Sequence, residues 1–576
     1  NIFVKLIVTE KYKQALNIAK ALGKYKIINK RYLNKNIKII ISPNYIILPL
    51  LGHITEYDTI YNLKDWSFYS VLEILRNKNS IIKKIKEKSY EEAIKDWAKK
   101  ADEIIIATDS DEEGENIGLE VIEILKNNNI QKRIKRLWLT TTLPTDILNS
   151  LKNLREFRMP VALSVEARRK IDALTGFSGT RELTLRLSNE KYKDIFSFGR
   201  VQTATLWLIV QREREILNFK PEKYWKIKLN VLNTNFIYQE NQIFNKQKAF
   251  EIYNKIKNSK YIKILEVKEE RQKLNPPTPL NTNKMLEVAS KILNISPSKV
   301  IDLAEELYLE GIITYPRVDN QKYSENFNHE ENLKRLINSN FSNYIQKLIN
   351  NKFFYPTKGK YVEDHEPITP IKGIKNYKNE LGYKLYEIIL RHYLSILSPP
   401  AIILKIKIIG EVEGEKFIAE GEKILSKGFL EIFYSKYEEE YIDDFKINSF
   451  YKINKINIEE KQTRPPNRYT ESSLIAKMEE VKIGTKSTRP YIIEVLKERN
   501  YVNKKGRTLY PTEKGNKLIE ILEKVWGNYI TPEFTSKVEE NMEKIANGEI
   551  IWEDVVEEER KQFLEAILKL RENFRI

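Results

Sequence analysis

No cysteine occurs among the 576 residues, which excludes disulfides and zinc ribbons held by thiolates. Histidine is limited to His53, His329, His365 and His392. No run of about 18 apolar residues and no signal peptide appears, so the expectation is a soluble cytoplasmic protein with no membrane partner. A Gly-x-x-x-x-Gly-Lys-[Ser/Thr] phosphate loop is missing, and with it the usual seat for ATP. Low-complexity tracts are absent too, so domain boundaries must be read from shifts in pattern.

Positive charge is abundant instead. Lys+Arg total 98 against 80 Asp+Glu, giving +18 and a pI near 9.3. That balance suits a polyanion partner, although an Ile- and Lys-rich composition from an AT-rich genome would also contribute to it. The length implies about three to five domains. Residues 1–150 read as α/β, with apolar strands such as 45–50 alternating with helices at 11–22 and 114–125. Residues 151–215 read as helical and basic. Strand-like alternation appears at 224–229 and again at 402–409, flanking a mostly helical middle. Two stretches read as a helix followed by a strand or hairpin: 298–309 before the strand expected to bear Tyr315, and 487–499 before the turn Lys504-Lys505-Gly506-Arg507. Each has the outline of a winged helix or of an ordinary helix–hairpin corner.

Two motifs carry chemistry. In Gly311-Ile312-Ile313-Thr314-Tyr315-Pro316-Arg317-Val318-Asp319, a tyrosine stands two residues from an arginine. A guanidinium there can favour the phenolate and hold a phosphoryl oxygen, which suits a nucleophile attacking a phosphodiester; a strand end with a buried ring is the alternative. Upstream, the apolar run 103–108 leads into Asp109-Ser110-Asp111-Glu112-Glu113-Gly114-Glu115. Carboxylates at the carboxyl end of a buried parallel strand suit Mg²⁺, and a solvated acidic helix N-terminus is the rival reading.

Taken with further blocks in the same order, these motifs resemble the type IA DNA topoisomerases of archaeal type. The blocks are the first strand 3–9 ending in Glu10-Lys11; Leu51-Gly52-His53; Ala167-Arg168-Arg169-Lys170-Ile171-Asp172; Ser197-Phe198-Gly199-Arg200-Val201-Gln202-Thr203; His365-Glu366-Pro367-Ile368; Arg391-His392-Tyr393-Leu394; Pro465-Pro466-Asn467-Arg468-Tyr469-Thr470-Glu471; and Ile483-Gly484-Thr485-Lys486-Ser487-Thr488-Arg489. Ala204 replaces the family's usual Pro, Val318 its common Thr, and the block opened by His365 ends in Pro370-Ile371. None of these departures replaces a residue proposed to act in catalysis.

The resemblance implies a multidomain α/β and α+β fold: an N-terminal Toprim domain (1–150), a discontinuous helical DNA-binding domain (151–215 with 461–576), a discontinuous β-rich domain (216–275 with 395–460) and a winged-helix-like domain carrying the tyrosine (276–394), together enclosing a central hole. It implies cleavage of one strand through a 5′-phosphotyrosyl bond, strand passage and religation without ATP, relaxing negatively supercoiled DNA. Tyr315 is then the nucleophile, with Arg317, Lys11, Glu10 and His365 at the scissile phosphate. Glu10, Asp109, Asp111 and Glu113 form the Mg²⁺ site. His53, Arg168, Arg169, Asp172, Ser197, Gly199, Arg200, Gln202, Thr203, Ser487, Thr488 and Arg489 belong to the single-strand groove, with Asp172 and Arg169 shaping a base pocket. His53 and His392 have structural roles as rival readings.

Two other functions fit parts of the pattern. A topoisomerase subunit of a split reverse gyrase would need a helicase partner to supply ATP chemistry, and Pro316 stands where that family usually has His. A Toprim nuclease, or a scaffold that binds single strands without cutting, would form no covalent adduct with DNA.

Overall fold

The computed structural model describes residues 3–60, 66–188, 194–352, 354 and 356–573. The N-terminal sheet has six strands in the order Lys26–Tyr32, Lys35–Ser42, Tyr45–Pro49, Lys5–Thr9, Glu103–Ala107, Arg133–Arg136. Its central strands Lys5–Thr9 and Glu103–Ala107 pair in parallel. Alternation sorts their side chains onto two faces. Leu6, Val8, Ile104 and Ile106 pack with Trp97 and Val121 on one face, while Ile7, Ile105 and Ala107 pack with Ile18 and Ile147 on the other. Both faces are covered by helices, which is why these strands read as continuous apolar runs.

Six strands from two distant stretches close a barrel: Lys223–Val231, Thr234–Tyr238 and Tyr261–Leu274 join Ala401–Val412, Glu415–Ser426 and Phe450–Gln462. The chain therefore leaves this barrel after Leu274 and returns to it at Ala401. What lies between is mainly helical, and it shares one apolar cluster with helices from Met159–Leu187, Arg200–Leu217 and the C-terminal third. Among the described residues, no helix is long and apolar enough to cross a membrane.

Residues 487–499 resolve into the helix Arg489–Glu498, followed by the antiparallel pair Val502–Lys505 and Thr508–Pro511. The helix Pro297–Leu309 ends at Gly311, whose φ of +75° suits a residue without a Cβ. The strand expected to bear Tyr315 does not form. It is reduced to one bridge, Ile313 with Pro370. Pro316 and Pro370 have no N–H to extend a ladder, and the Tyr315 N–H turns away to the Thr140 carbonyl of the N-terminal domain at 2.9 Å.

Candidate active site

The acidic turn is built where the strand Glu103–Ala107 hands over to the helix Glu112–Asn127. A Cβ on Gly114 would lie 1.8 Å from the Asp109 carbonyl oxygen, so only glycine lets the helix start this close to the strand end. Asp111 caps that helix, its Oδ1 accepting from Gly114 N at 2.7 Å. Its other oxygen, Oδ2, accepts the Tyr315 hydroxyl at 2.5 Å, across 204 residues of sequence. Beneath the turn, Arg136 is 1% exposed. It pairs with Glu115 and donates to the carbonyls of Thr108 (2.8 Å) and Asp109 (2.6 Å).

Tyr315 is buried, with its ring against Tyr308 and with centroids 4.9 Å from His365. His365 stacks on Trp138 at 5.1 Å and meets the Ser110 carbonyl through Nε2. Its Nδ1 is buried without a hydrogen-bond partner. Arg317 pairs with Glu305 at 2.8 Å, and Lys11 reaches Asp109 at 3.4 Å and the other Glu305 oxygen at 3.7 Å. Glu10 accepts from Asp109 N at 3.2 Å.

Electrostatics set the protonation states. Burial, reinforced by Asp111 and Asp109, pushes the Tyr315 phenol well above its ordinary range, and Arg317 only partly offsets this. The expected phenolate is therefore not the resting species: the guanidinium is outweighed by two carboxylates and is itself shared with Glu305. Burial alone would raise Asp111, but Arg317, the Tyr315 hydroxyl and Gly114 N–H hold it below the usual carboxylate range. Glu10 goes the other way, raised by burial and by its neighbours Asp109 and Asp111. Burial lowers His365 to about 4, so it is neutral. The centre thus contains an anionic acceptor on the tyrosine and, in Glu10, a carboxyl that holds its proton more tightly than usual.

Glu10, Asp109 and Asp111 are the hard oxygen donors that suit a divalent cation retaining several waters. Burial first, and then repulsion from Asp109 and Asp111, raise Glu10, and the repulsion is what such a cation would relieve. Among the described residues, however, no three acidic or histidine side chains converge tightly enough to enclose a metal ion. Glu113, expected with them, faces His53 Nε2 at 3.2 Å, and His53 is anchored through Nδ1 by Glu120 at 2.7 Å.

A family model for DNA topoisomerase matches residues 156–557, and one for the Toprim domain matches 5–142. The chain belongs to the type IA DNA topoisomerases. DNA topoisomerase 1 of Archaeoglobus fulgidus is 35% identical over 571 residues, covering 98% of this chain and 83% of that protein. DNA topoisomerase 1 of Thermoplasma acidophilum is 35% identical over 530 residues, covering 90% and 67% respectively. Among solved structures, full-length topoisomerase I from Thermotoga maritima superposes with a TM-score of 0.78 at 26% identity, covering 99% of this chain and 91% of that one. As in the rest of this family, the substrate is DNA and the reaction an isomerisation of its topology.

Beside Asp111 a cavity of about 540 Å³ runs toward the helix Pro532–Ala546, bordered by Trp138, Arg158, Arg168, Lys486 and Arg489. Arg168 Nε and Nη1 lie buried there without hydrogen bonds, while Nη2 holds Glu539 at 3.0 Å. Arg489 uses its Nε and Nη2 on the carbonyls of Ile483 and Gly484, shaping the loop that carries Ser487 and Thr488. Ser487 Oγ is buried and unpartnered, and Thr488 Oγ1 accepts from Thr485 N at 2.8 Å. Ser197, Gly199, Gln202 and Thr203 form the entry to the helix Arg200–Leu217, tied by Gln202 to Ser197 Oγ (2.9 Å) and Thr203 N to Gly199 O (2.7 Å). Asp172 meets Arg200 at 3.0 Å, while Arg169 is drawn to Asn116, Glu120 and the Thr55 carbonyl of the Toprim domain, so the two residues assigned to a base pocket have separate partners here.

Several residues escaped sequence reasoning. Arg136 carried one faint signal, a charged residue closing a strand of a sheet buried on both faces. Trp138, Glu120 and Glu305 carried none, since each gains its meaning from a partner far away in sequence. His392, in the tyrosine-bearing region, meets the Thr278 carbonyl and the hydroxyl of Tyr434 beyond that region, and it makes no contact with the centre.

Proposed function

We propose that Tyr315 cleaves one DNA strand by attack on phosphorus, forming a 5′-phosphotyrosyl bond and freeing a 3′ hydroxyl. The observation that carries this reading is the Tyr315 hydroxyl donating to the Asp111 carboxylate inside the Toprim acidic turn. Asp111 accepts the phenolic proton as the P–O bond to Tyr315 forms. The P–O bond to the 3′ oxygen breaks, and that oxygen takes its proton from Glu10, whose raised pKa suits it to be the donor. Arg317 and Lys11 meet the charge gathering on the non-bridging oxygens. Religation is the same path reversed, so bond energy is conserved and ATP is not consumed. Mg²⁺ held by Asp109 and Asp111, with Glu113 near, would neutralise phosphate charge and hold the ends for religation.

The cavity beside Asp111, where Arg158, Arg168, Lys486 and Arg489 are interleaved with Glu112, Asp319, Asp364 and Glu539, is the entry we assign to the single strand, whose phosphates would compete with those carboxylates for the cations; Arg200, Asp172 and the 197–203 turn lie further along. A strand separated from its complement is required, so negatively supercoiled DNA is the natural substrate and relaxation the outcome. The domains are assigned as 1–150, 151–215 with 461–576, 216–275 with 395–460, and 276–394, and strand passage uses a central hole opened when 276–394 swings from the Toprim domain. A protein acting on chromosomal DNA in this way would work in the cytoplasm, at the nucleoid. The test is a cleavage reaction on 3′-labelled single-stranded oligonucleotide stopped with detergent. Label retained on a peptide containing Tyr315 supports the reading; cutting with no adduct would establish a nuclease instead.

A further inference from the structure

Glu305 takes no part in the chemistry above, yet it sits at the centre of the charged cluster. It lies on the helix Pro297–Leu309, in the region that carries Tyr315, with its side chain 18% exposed. One oxygen holds Arg317 Nη2 at 2.8 Å; the other faces Lys11 Nζ at 3.7 Å, across the boundary with the Toprim domain. Both cations assigned to the scissile phosphate are therefore already occupied by an anion of similar size. The grip is loose. Arg317 Nε is buried with no acceptor, and Glu305 Oε1 makes its ion pair without a well-directed hydrogen bond. A phosphate brings more acceptor oxygens than a carboxylate and can take up the donors Glu305 leaves unused.

We infer that Glu305 is a displaceable stand-in for the scissile phosphate: in the DNA-free protein its carboxylate draws Arg317 and Lys11 together, and it yields them when the strand enters. It is a positioning residue, acting through Arg317 and Lys11. It keeps two like charges from repelling one another across the closed boundary, and it competes with DNA for them. This rests on the assignment of Tyr315 as nucleophile and of both cations to the phosphate. Neighbouring charges fit the role, since Asp109 shares Lys11 and Asp302 is bound separately by the Tyr491 hydroxyl at 3.1 Å.

The test measures single-stranded oligonucleotide binding in a Tyr315→Phe background, where no cleavage complicates the reading. Glu305→Gln keeps the shape and removes the competing charge. Binding should tighten roughly threefold to tenfold, and the slope of log affinity against log salt should steepen by up to about 0.7 as one further phosphate contact becomes unshared. Glu305→Asp keeps the charge and should leave the slope as it was, and thermal melting of all variants checks that they fold. In protein with Tyr315 intact, Glu305→Gln should raise the yield of trapped adduct. Unchanged or weaker binding of the Gln variant at an unchanged slope would overturn the inference and leave Glu305 a support for Arg317. If wild-type protein forms no adduct on Tyr315, the functional reading itself has failed, which is a separate result.

Discussion

Replacing Tyr315 with Phe removes a single oxygen, and the structure specifies what depends on it. The ring contacts to Tyr308 and His365 need no hydroxyl and should persist. What disappears is a hydrogen bond to an anionic acceptor, buried and spanning the Toprim domain and the tyrosine-bearing region. Bonds of this kind contribute about 1.5–3 kcal/mol. Because this one crosses a boundary proposed to open during strand passage, its loss should shift the closed-to-open ratio by roughly tenfold to a hundredfold rather than unfold either part. Asp111 keeps its Gly114 cap and its attraction to Arg317, so the acidic turn should hold its shape. Chemistry should vanish altogether, since the one hydroxyl that donates to Asp111 is gone. The assay pairs detergent trapping on labelled oligonucleotide with the rate of protease cutting in the 276–394 region. Adduct on the Phe variant would refute the nucleophile assignment, and an unchanged proteolysis rate would refute the claim that this bond helps hold the boundary shut.

Other consequences can be measured in the same way. Arg317→Lys should retain much of the strand affinity yet slow cleavage about tenfold to a hundredfold, because an ammonium lacks the paired planar donors, and single-turnover adduct formation reads this directly. Changing Asp109 and Asp111 together to Ala should abolish relaxation in Mg²⁺ while oligonucleotide binding survives, since binding rests on basic side chains; activity of the double variant in EDTA would contradict both roles given to Asp111. Arg136→Ala should destabilise the Toprim domain by about 3–5 kcal/mol, because Glu115 is left buried and unpaired, and denaturant melts followed by Trp97 and Trp138 fluorescence would show it. His329 and His392 are both held near pH 4 by burial and stay neutral in the fold. The unfolded chain protonates first as pH falls from 6.5, so stability should drop between about pH 6.5 and 4, by up to roughly 3 kcal/mol per histidine; equal stability at pH 7 and 4.5 would contradict it.

What the sequence determined was chemistry and local form. The apolar stretches 6–8 and 104–107 read as interior strand because they carry no polar side chain to offer water, and Gly114, shortly after Asp109-Ser110-Asp111, permits a helix to start on the strand end. The tyrosine with its arginine and the acidic turn are legible because each is contiguous, so spacing alone places its members within reach of one another. The tertiary structure decided the rest. Whether Tyr315 is a phenol or a phenolate depends on burial and on Asp111 and Asp109, charges brought in from 200 residues away, and not on the neighbouring arginine. That Asp172 pairs with Arg200, that Glu113 turns to His53, and that Glu305 stands between Arg317 and Lys11 follow from how helices of separate regions face one another. Local propensity acts over a few residues, whereas Coulomb interaction and desolvation depend only on distance in space, so the pairing of these charges had no linear signature to read.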